Sequence, residues 1–279
     1  MAEDRTPDLL AQLAAGTQAL TSSQHWADYL AAQARFHHYS MGNVVLITAQ
    51  RPDATQVAGF KTWLTLDRHV RKGEHAVWIL APMTYRRTEH NDDTGEDVTR
   101  TGVRGFRAVP VFDVAQTDGA DLPCPVSLMD GDDTAGAFEA LARVVKGWGW
   151  TVADADSARL GAANGLTCHE TREILVSAER SGLQRVKTLV HEIGHALLHD
   201  SDCTYRANRG LIELEAESLA YVVCAILGIV SDDYSFGYVA GWAGDSAVSL
   251  IRASGERIHA ATTQILQALD ARDVMQPAV

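Results

Sequence analysis

The segment His191-Glu192-Ile193-Gly194-His195 constrains this chain more than any other, because it sets two histidines four residues apart. Residues 183–198 carry apolar side chains at a period of about 3.6, which predicts an amphipathic helix. Side chains four apart share a helix face, so both imidazoles can reach one ion, with Glu192 beside it. The H-E-x-x-H pattern therefore predicts a zinc site in which Glu192 accepts a proton from water.

A second predicted helix, residues 211–227, offers the third metal ligand. Glu213 and Glu217 share a face, whereas Glu215 lies about 200° from Glu213 at about 100° per residue and should point elsewhere. We assign Glu213 to the metal and Glu217 to the far N–H of a ligand histidine, and the reverse assignment stays open. Two histidines and one glutamate leave a fourth position for water, as in catalytic zinc sites.

Other candidates for the metal are weaker. His199 continues the four-residue series, but at about 1.5 Å per residue it lies about 12 Å along the helix from His191, too far to share an ion. Cys203 is close in sequence, yet a lone loop cysteine is more often just a small residue. Tyrosines that could steady a developing oxyanion are not ranked by the sequence; they are Tyr205, Tyr221, Tyr234 and Tyr238.

Composition sets outer limits on the class of protein. The 279 residues are enough for two ordinary domains, and 46% hydrophobic with 22% charged residues is typical of a folded globular protein. The four cysteines form no C-x-x-C pair, which favours reduced thiols over a cysteine zinc site. The N-terminus has no apolar signal region, and the longest apolar run, residues 219–230, falls short of the about 20 residues that a membrane helix needs. We expect a soluble cytoplasmic protein without membrane contact.

The net charge of −12 is unevenly distributed. Residues 1–113 hold 12 Lys and Arg against 13 Asp and Glu, whereas residues 114–279 hold 12 against 23. Within residues 61–87 six basic residues face two acidic ones, a local charge of +4. The acidity of the whole chain therefore weakens a nucleic-acid role for the first half without excluding it.

The order of predicted elements indicates an α+β protein in two domains. Residues 1–114 read as helices followed by antiparallel strands at 76–82, 83–87 and 101–113, with a turn at 91–95. Residues 115–133 are rich in Gly, Pro, Ser and Asp and read as a linker. Residues 134–279 read as a helix, a small sheet with a hairpin at 170–172, the H-E-x-x-H helix, the acidic helix and a last helix at 245–271. An edge strand of that sheet could bind an extended substrate.

Two stretches carry a family resemblance. Residues 36–82, together with KTLVHEIGHALLH (187–199) and ELEAES (213–218), resemble the ArdC-type antirestriction family. Members pair an N-terminal domain that binds single-stranded DNA with a zincin-like metallopeptidase domain, which is also similar to the ImmA/IrrE group. The resemblance implies His191, His195 and Glu213 as zinc ligands and Glu192 as base. Glu217 matches a position that often holds Asn or another acid.

The resemblance also favours DNA contacts in the first half. Single-strand binders combine basic groups with aromatic faces on which bases stack. The candidates are Asn43, Lys61, Trp63, Arg71 and Lys72. Trp63 could equally be a core residue, and the basic residues at 68–72 could form a solvated turn.

Three functions compete at this point. The first is a zinc metallopeptidase joined to a DNA-binding domain, such as an antirestriction or mobile-element regulatory protein. The second is a DNA-binding antirestriction protein whose zinc site is structural or inactive. The third is a metal-dependent hydrolase of nucleic acid.

Overall fold

The computed structural model describes residues 4–91, 96–122, 134–199, 205–229, 234 and 245–273. The chain divides into two compact units. The first unit comprises the described parts of residues 1–17 and 42–122, and the second unit comprises those of residues 18–41 and 123–279.

The elements of the described residues follow in chain order. The helices are α1 (Thr6–Ala19), α2 (Ser23–Arg35), α3 (Met41–Gln50), α4 (Phe60–Thr65), a 3-10 turn (Val114–Gln116), α5 (Thr134–Gly147), α6 (Ser157–Leu160), α7 (Gly182–Leu198), α8 (Tyr205–Ile226) and α9 (Asp245–Asp273). The strands are β1 (Val57–Ala58), β2 (Arg68–Val70), β3 (Val77–Asn91), β4 (Glu96–Asp113), β5 (Thr117–Gly119), β6 (Thr151–Ala155), β7 (Gly165–Cys168) and β8 (Glu173–Ser177). The predicted α+β class is confirmed.

The first unit is built on a long antiparallel ribbon of β3 and β4, which β1 extends in the order β1-β4-β3. We predicted two strands at 76–82 and 83–87, but β3 is continuous, because Pro82 lies on an edge strand where a missing N–H is tolerated. Leu9, Leu46 and Leu80 form a buried cluster at its base. The predicted turn at 91–95 lies mostly outside the described residues.

The second unit holds a small sheet in the order β6-β8-β7. β6 and β8 are parallel, whereas β7 and β8 form the predicted hairpin, in which Arg172 has a φ of 51°. Helix α7 begins where Ser181 accepts a hydrogen bond from the backbone N–H of Gln184 at 3.4 Å. Helix α7 packs against α8, α5 and the sheet, and this packing sets the position of the H-E-x-x-H segment.

The compact units differ from the predicted domain boundaries in two places. Helix α2 belongs to the second unit, because the fully buried Trp26 donates its indole N–H to Ser218 on α8 at 3.0 Å. Residues 115–119, the start of the predicted linker, complete the 3-10 turn and form β5, which pairs with β2. Residues 123–133 of that linker lie outside the described residues.

Two further expectations concern membranes and thiols. In the part of the chain that the structure describes, no helix is long and apolar enough to cross a membrane. Cys168 and Cys224 are free thiols, whereas Cys124 and Cys203 lie outside the described residues.

Candidate metal centre

Two helices of the second unit bring the predicted ligands together. His191 and His195 lie one turn apart on α7, and Glu213 projects from α8. The helices approach closely because Gly194 has no side chain: a Cβ there would lie 2.9 Å from the Cα of Ala216. Glycine at this position therefore sets the distance between the two ligand-bearing helices.

The donor atoms have the spacing that one divalent ion requires. His191 Nε2 and His195 Nε2 are 3.1 Å apart, and Glu213 Oε2 lies 3.5 Å from the first and 3.8 Å from the second. Ligands about 2.0–2.1 Å from a tetrahedral ion lie about 3.3 Å from one another. The three residues thus form a group that fits a divalent metal.

Glu217 contacts the first of the two histidines. Its Oε2 lies 3.1 Å from His191 Nδ1, and its Oε1 lies 3.3 Å from the ammonium of Lys187. Burial would raise the pKa of Glu217, but His191 and Lys187 outweigh burial and lower that pKa, so the carboxylate stays charged. An acceptor at Nδ1 holds the proton there and leaves Nε2 open towards the metal position.

Glu192 lies beside the donor group and is held by the sheet. Its side chain is 6% exposed, and Thr167 on β7 donates its hydroxyl to Glu192 Oε2 at 2.7 Å. The strand can come this close because residue 165 is glycine: a Cβ there would lie 2.7 Å from Glu192 Oε1. Burial raises the pKa of Glu192 above that of an ordinary glutamate, which suits a group that must take up a proton.

A second carboxylate lies behind the other histidine ligand. His195 Nδ1 is 3.2 Å from His199 Nδ1, and His199 Nε2 is 3.3 Å from Glu215 Oε2. Glu215 also accepts hydrogen bonds from Ser254 and Arg257 on α9. The prediction that Glu215 points away from Glu213 agrees with this position on the opposite side of α8. The sequence does not predict the contact between His199 and Glu215. The position of His199 four residues after His195 is, however, a signal that these two histidines lie close together.

The pKa values of His191 and His195 shift in opposite directions. Burial would lower the pKa of His191, but hydrogen bonds to Glu213 and Glu217 outweigh burial and raise that pKa to about 9. Burial and the charge of His191 lower the pKa of His195. A metal entering this site must therefore displace a proton from His191.

The donor group opens into a cleft of about 1200 Å³. Its walls come from the edge strand β7, the loop before α7, and the facing sides of α7 and α8. His169 and Arg209 supply further polar groups to the walls. Of the tyrosines proposed for the oxyanion, Tyr221 and Tyr234 stack edge to face with centroids 5.0 Å apart and are not wall residues. The Tyr205 side chain and Tyr238 lie outside the described residues.

Two of the predicted nucleic-acid residues of the first unit make contacts within the fold. Asn43 makes a two-way amide clamp with the backbone of Leu80, at 3.0 and 2.9 Å. Trp63 is 2% exposed and donates its indole N–H to the carbonyl of Phe112 at 2.9 Å.

The basic members of that set differ among themselves. Arg71 pairs with Glu74 at 2.8 Å and with Asp118 at 3.3 Å. Lys61 and Lys72 are exposed. The two lysines are therefore the members of the predicted set whose charge faces solvent most directly.

Fold and site together define a two-unit α+β protein with a metallopeptidase-like second unit. Residues 152–225 match the family model described as IrrE N-terminal-like domain. Residues 1–112 match the model described as N-terminal domain of anti-restriction factor ArdC. The resemblance to ArdC is thus confirmed: this chain is ArdC-like in sequence and fold, with an IrrE-like second domain.

Individual relatives are distant. A crystal structure of the antirestriction ArdC protein from plasmid R388, in metal-free form, aligns with a TM-score of 0.51 and 21% identity over 84% of this chain and 86% of that one. The Mn(II)-bound structure of the R388 protein aligns with a TM-score of 0.49 and 19% identity, over 83% and 85%. The uncharacterized protein pXO2-81 of Bacillus anthracis is 23% identical over 243 residues, or 75% of this chain. The match spans only 41% of that relative's length.

Proposed function

We propose that this chain is a zinc-dependent peptidase whose first unit binds single-stranded DNA, acting in the cytoplasm as an antirestriction or mobile-element regulatory protein. The observation that carries the enzymatic part is the convergence of His191, His195 and Glu213 with a buried glutamate beside them. Imidazole and carboxylate donors with no thiolate suit zinc in a catalytic site. A structural zinc site closes its fourth position, whereas these three donors face an open cleft.

The side chains around the donor group support peptide hydrolysis. When bound, zinc supplies Lewis acidity, which acidifies water and polarises a carbonyl group. Glu192 accepts the proton of the attacking water and passes it to the leaving amine nitrogen. Thr167 keeps the Glu192 carboxylate beside the donor group through its 2.7 Å hydrogen bond. Glu217 keeps His191 in the tautomer that can ligate.

The edge of the small sheet supports an extended substrate. Within the described residues, β7 pairs with β8 along one edge, and residues 165–167 line the cleft along the strand. Leu166 is 48% exposed there. A peptide that adds to β7 as a further strand would gain main-chain hydrogen bonds and bring its carbonyl groups past Glu192.

The test of the enzymatic part compares two variants at equal zinc occupancy. Protein loaded with one equivalent of zinc is incubated with a quenched fluorogenic peptide library. Glu192→Gln should bind zinc as wild type does, since Glu192 is not a ligand, and lose at least about a hundredfold in cleavage rate. The matched control is Glu139→Gln, which makes the same replacement of a carboxylate by an amide at an exposed residue of α5. It should cleave like wild type. Equal cleavage by Glu192→Gln and wild type would remove the general-base role.

A surface of the first unit supports the DNA-binding part. On the β3–β4 ribbon, residues 81–88 and 101–108 contain four arginines and no acidic residue. Three large apolar side chains of the same segment are exposed, namely Tyr85 at 47%, Val103 at 55% and Phe106 at 51%. Arginines interleaved with exposed aromatic rings are the pattern of single-strand binding surfaces.

The strand register places three of these residues on one face of the ribbon. Tyr85 and Arg87 share a face by the two-residue alternation of β3, and Arg107 joins them because it pairs with Ala81. The Tyr85 ring lies over Gly102, where a Cβ would come within 2.6 Å of the ring. Its other side is therefore presented to solvent. From Arg107 to Arg87 the face extends about 20 Å, at about 3.3 Å per residue.

Salt-dependent binding to a labelled oligothymidylate tests this surface against the one predicted from sequence. For single strands, the slope of log K against log salt has a magnitude of about 0.7 for each phosphate that a basic side chain neutralises. An Arg87→Gln/Arg107→Gln double variant should therefore lower the magnitude of the slope by about 1.4. The charge-matched Lys61→Gln/Lys72→Gln variant should leave it unchanged. The opposite result would favour the lysines predicted from the sequence, and no binding by wild type at low salt would refute the DNA role.

A DNA-binding protein with an inactive metal site is the second candidate. It predicts that Glu192→Gln and wild type protect single-stranded DNA from nuclease digestion equally and that neither cleaves the peptide library. Hydrolysis of the oligonucleotide itself, abolished by chelation, would instead point to a nuclease.

A further inference from the structure

Both histidine ligands have a partner behind them, but the two arrangements differ. Glu217 contacts His191 directly, whereas the partner of His195 is a third histidine, His199. His199 in turn contacts Glu215, so the second arrangement is a hydrogen-bonded series of two imidazoles and a carboxylate. The peptide-hydrolysis scheme above makes no use of His199 or Glu215.

His199 and Glu215 are buried, and contacts to α9 fix the Glu215 end of the hydrogen-bonded series. The side chain of His199 is 7% exposed, and that of Glu215 is 2% exposed. Ser254 and Arg257 on α9 hold Glu215 Oε1, which leaves Oε2 for His199. A carboxylate with this little exposure is costly unless every oxygen is paired, so the contacts to α9 and His199 are a condition of its burial.

Metal binding at His195 Nε2 determines which ring nitrogen donates in each hydrogen bond of the series His195–His199–Glu215. A neutral imidazole carries one proton, so a histidine that ligates through Nε2 carries it on Nδ1 and donates it. The group 3.2 Å from that nitrogen is His199 Nδ1, which must then accept. His199 in turn carries its proton on Nε2 and donates it to the charged Glu215.

The reverse order of donors does not suit a metal ligand. If His199 donated from Nδ1, the neutral His195 ring would carry its proton on Nε2, facing the metal position. The unprotonated Nε2 of His199 would also face the oxygen lone pairs of Glu215. The Glu215 carboxylate at the end of the series therefore favours one tautomer at both rings.

We propose that His199 and Glu215 are positioning residues that hold His195 in the tautomer able to bind the metal. The proposal rests on the metal site of the proposed function. His199, the C-cap residue of α7, acts through His195 and does not itself touch the metal. Acceptors behind ligand histidines typically change metal affinity by about 10–100-fold when they are removed.

The test uses two substitutions at one position. His199→Phe fills the same space and removes both polar contacts, whereas His199→Gln retains an acceptor for His195 and a donor for Glu215. Zinc affinity is measured by competition with a chelator, on proteins whose helical circular dichroism matches wild type. We expect His199→Phe to bind zinc about 10–100-fold more weakly and His199→Gln to stay within about threefold of wild type. His259→Phe, which alters another partly buried histidine in the second unit, should leave zinc affinity unchanged.

A second readout separates this proposal from the proposed function. Ring ¹⁵N chemical shifts of His195 report its tautomer in metal-free protein. They are measured above a pH of about 9, where a protonated His191 no longer donates its Nε2 proton to His195 Nε2. We expect the Nδ1–H form in wild type and in His199→Gln, and a mixture of both forms in His199→Phe. Wild type that shows this tautomer but takes up no zinc would contradict the proposed function and leave the positioning role of His199 standing. Wild-type zinc affinity and an unchanged tautomer in His199→Phe would overturn that role, as would a His199→Gln protein as weak as His199→Phe.

Discussion

Replacing Gly194 by alanine should weaken metal binding without touching a ligand. Gly194 lies on α7 between the two histidine ligands, where α7 meets α8. The added Cβ would lie 2.9 Å from the Cα of Ala216, 3.2 Å from its Cβ and 3.4 Å from its carbonyl oxygen. Two of these three atoms belong to the backbone, so the clash cannot be relieved by rotating a side chain.

The size of the effect follows from these distances. Favourable carbon contacts lie at about 3.5–4.0 Å, so α8 must move away by roughly 0.6–1.1 Å from its 2.9 Å approach. Glu213 is one turn before Ala216 and would move with it, whereas metal–ligand distances tolerate only about 0.2 Å. We expect zinc affinity to fall about tenfold or more. Overpacking costs about 1–3 kcal/mol, partly offset by up to about 1 kcal/mol of helix propensity.

The assay is chelator competition for zinc together with thermal unfolding of the metal-free protein. Gly42→Ala is the matched control, because its Cβ would meet only Leu13 side-chain carbons, at 3.4 and 3.5 Å. It should gain helix propensity and keep wild-type zinc affinity. If Gly194→Ala bound zinc as tightly as wild type, the inference that this glycine sets the distance between the ligand helices would be refuted.

Three further outcomes are expected. Zinc affinity should fall about tenfold per pH unit as the pH drops below about 9. The carboxylates that raise the pKa of His191 keep a proton on it, and this proton competes with the metal. Titration calorimetry at pH 6, 7 and 8 checks this, and a pH-independent affinity would contradict it. Glu217→Gln should weaken zinc binding about 10–100-fold in the same chelator assay, since an amide holds the His191 tautomer less firmly than a carboxylate, and wild-type affinity would argue against that role. Asn43→Leu should lower the free energy of unfolding by about 2–5 kcal/mol, since it leaves the backbone N–H and carbonyl of the buried Leu80 without their hydrogen bonds to Asn43. The oligothymidylate affinity per folded molecule should stay unchanged. A drop in that affinity at wild-type stability would favour Asn43 as a DNA contact.

The proximity of His191, His195 and Glu213 can be predicted from the sequence, because its signal is local. Helix periodicity alone puts His191 and His195 on one face, and the same periodicity separates Glu213 from Glu215 on α8. The start of α7 also has a local signal, since serine is a favoured N-cap residue and Ser181 caps this helix. The metal site therefore depends on few contacts that are distant in sequence, beyond the packing of α7 on α8.

Residues whose roles depend on distant partners were not predictable in this way. Asn43 looked like a DNA contact, because nothing local indicates that a strand 37 residues away will use its amide. Trp63 could be either a stacking face or a core residue until Phe112 was seen to accept its indole N–H. The partners of Glu215 are not predictable from the sequence, because Ser254 and Arg257 lie on α9, about forty residues further on.

The ribbon shows the converse limitation. Alternation predicts that Tyr85 and Arg87 share a face of one strand, but not which residues of β4 stand opposite. A register shift between Met83 and Thr84 brings Arg107 to that face. Gly102 and Gly105 lie close to this shift on β4 and are a sequence signal for a bulge, but they do not give the register.

X-ray absorption at the zinc edge tests the central claim most directly, on protein reconstituted with one equivalent of zinc. We predict a four-coordinate shell of nitrogen and oxygen at about 2.0–2.1 Å, with the outer-shell scattering of two imidazoles. The same spectrum from Glu213→Ala should show an altered shell or no bound zinc. A sulfur scatterer at about 2.3 Å, or a six-coordinate oxygen shell without imidazole, would contradict the assignment of His191, His195 and Glu213 as the metal ligands.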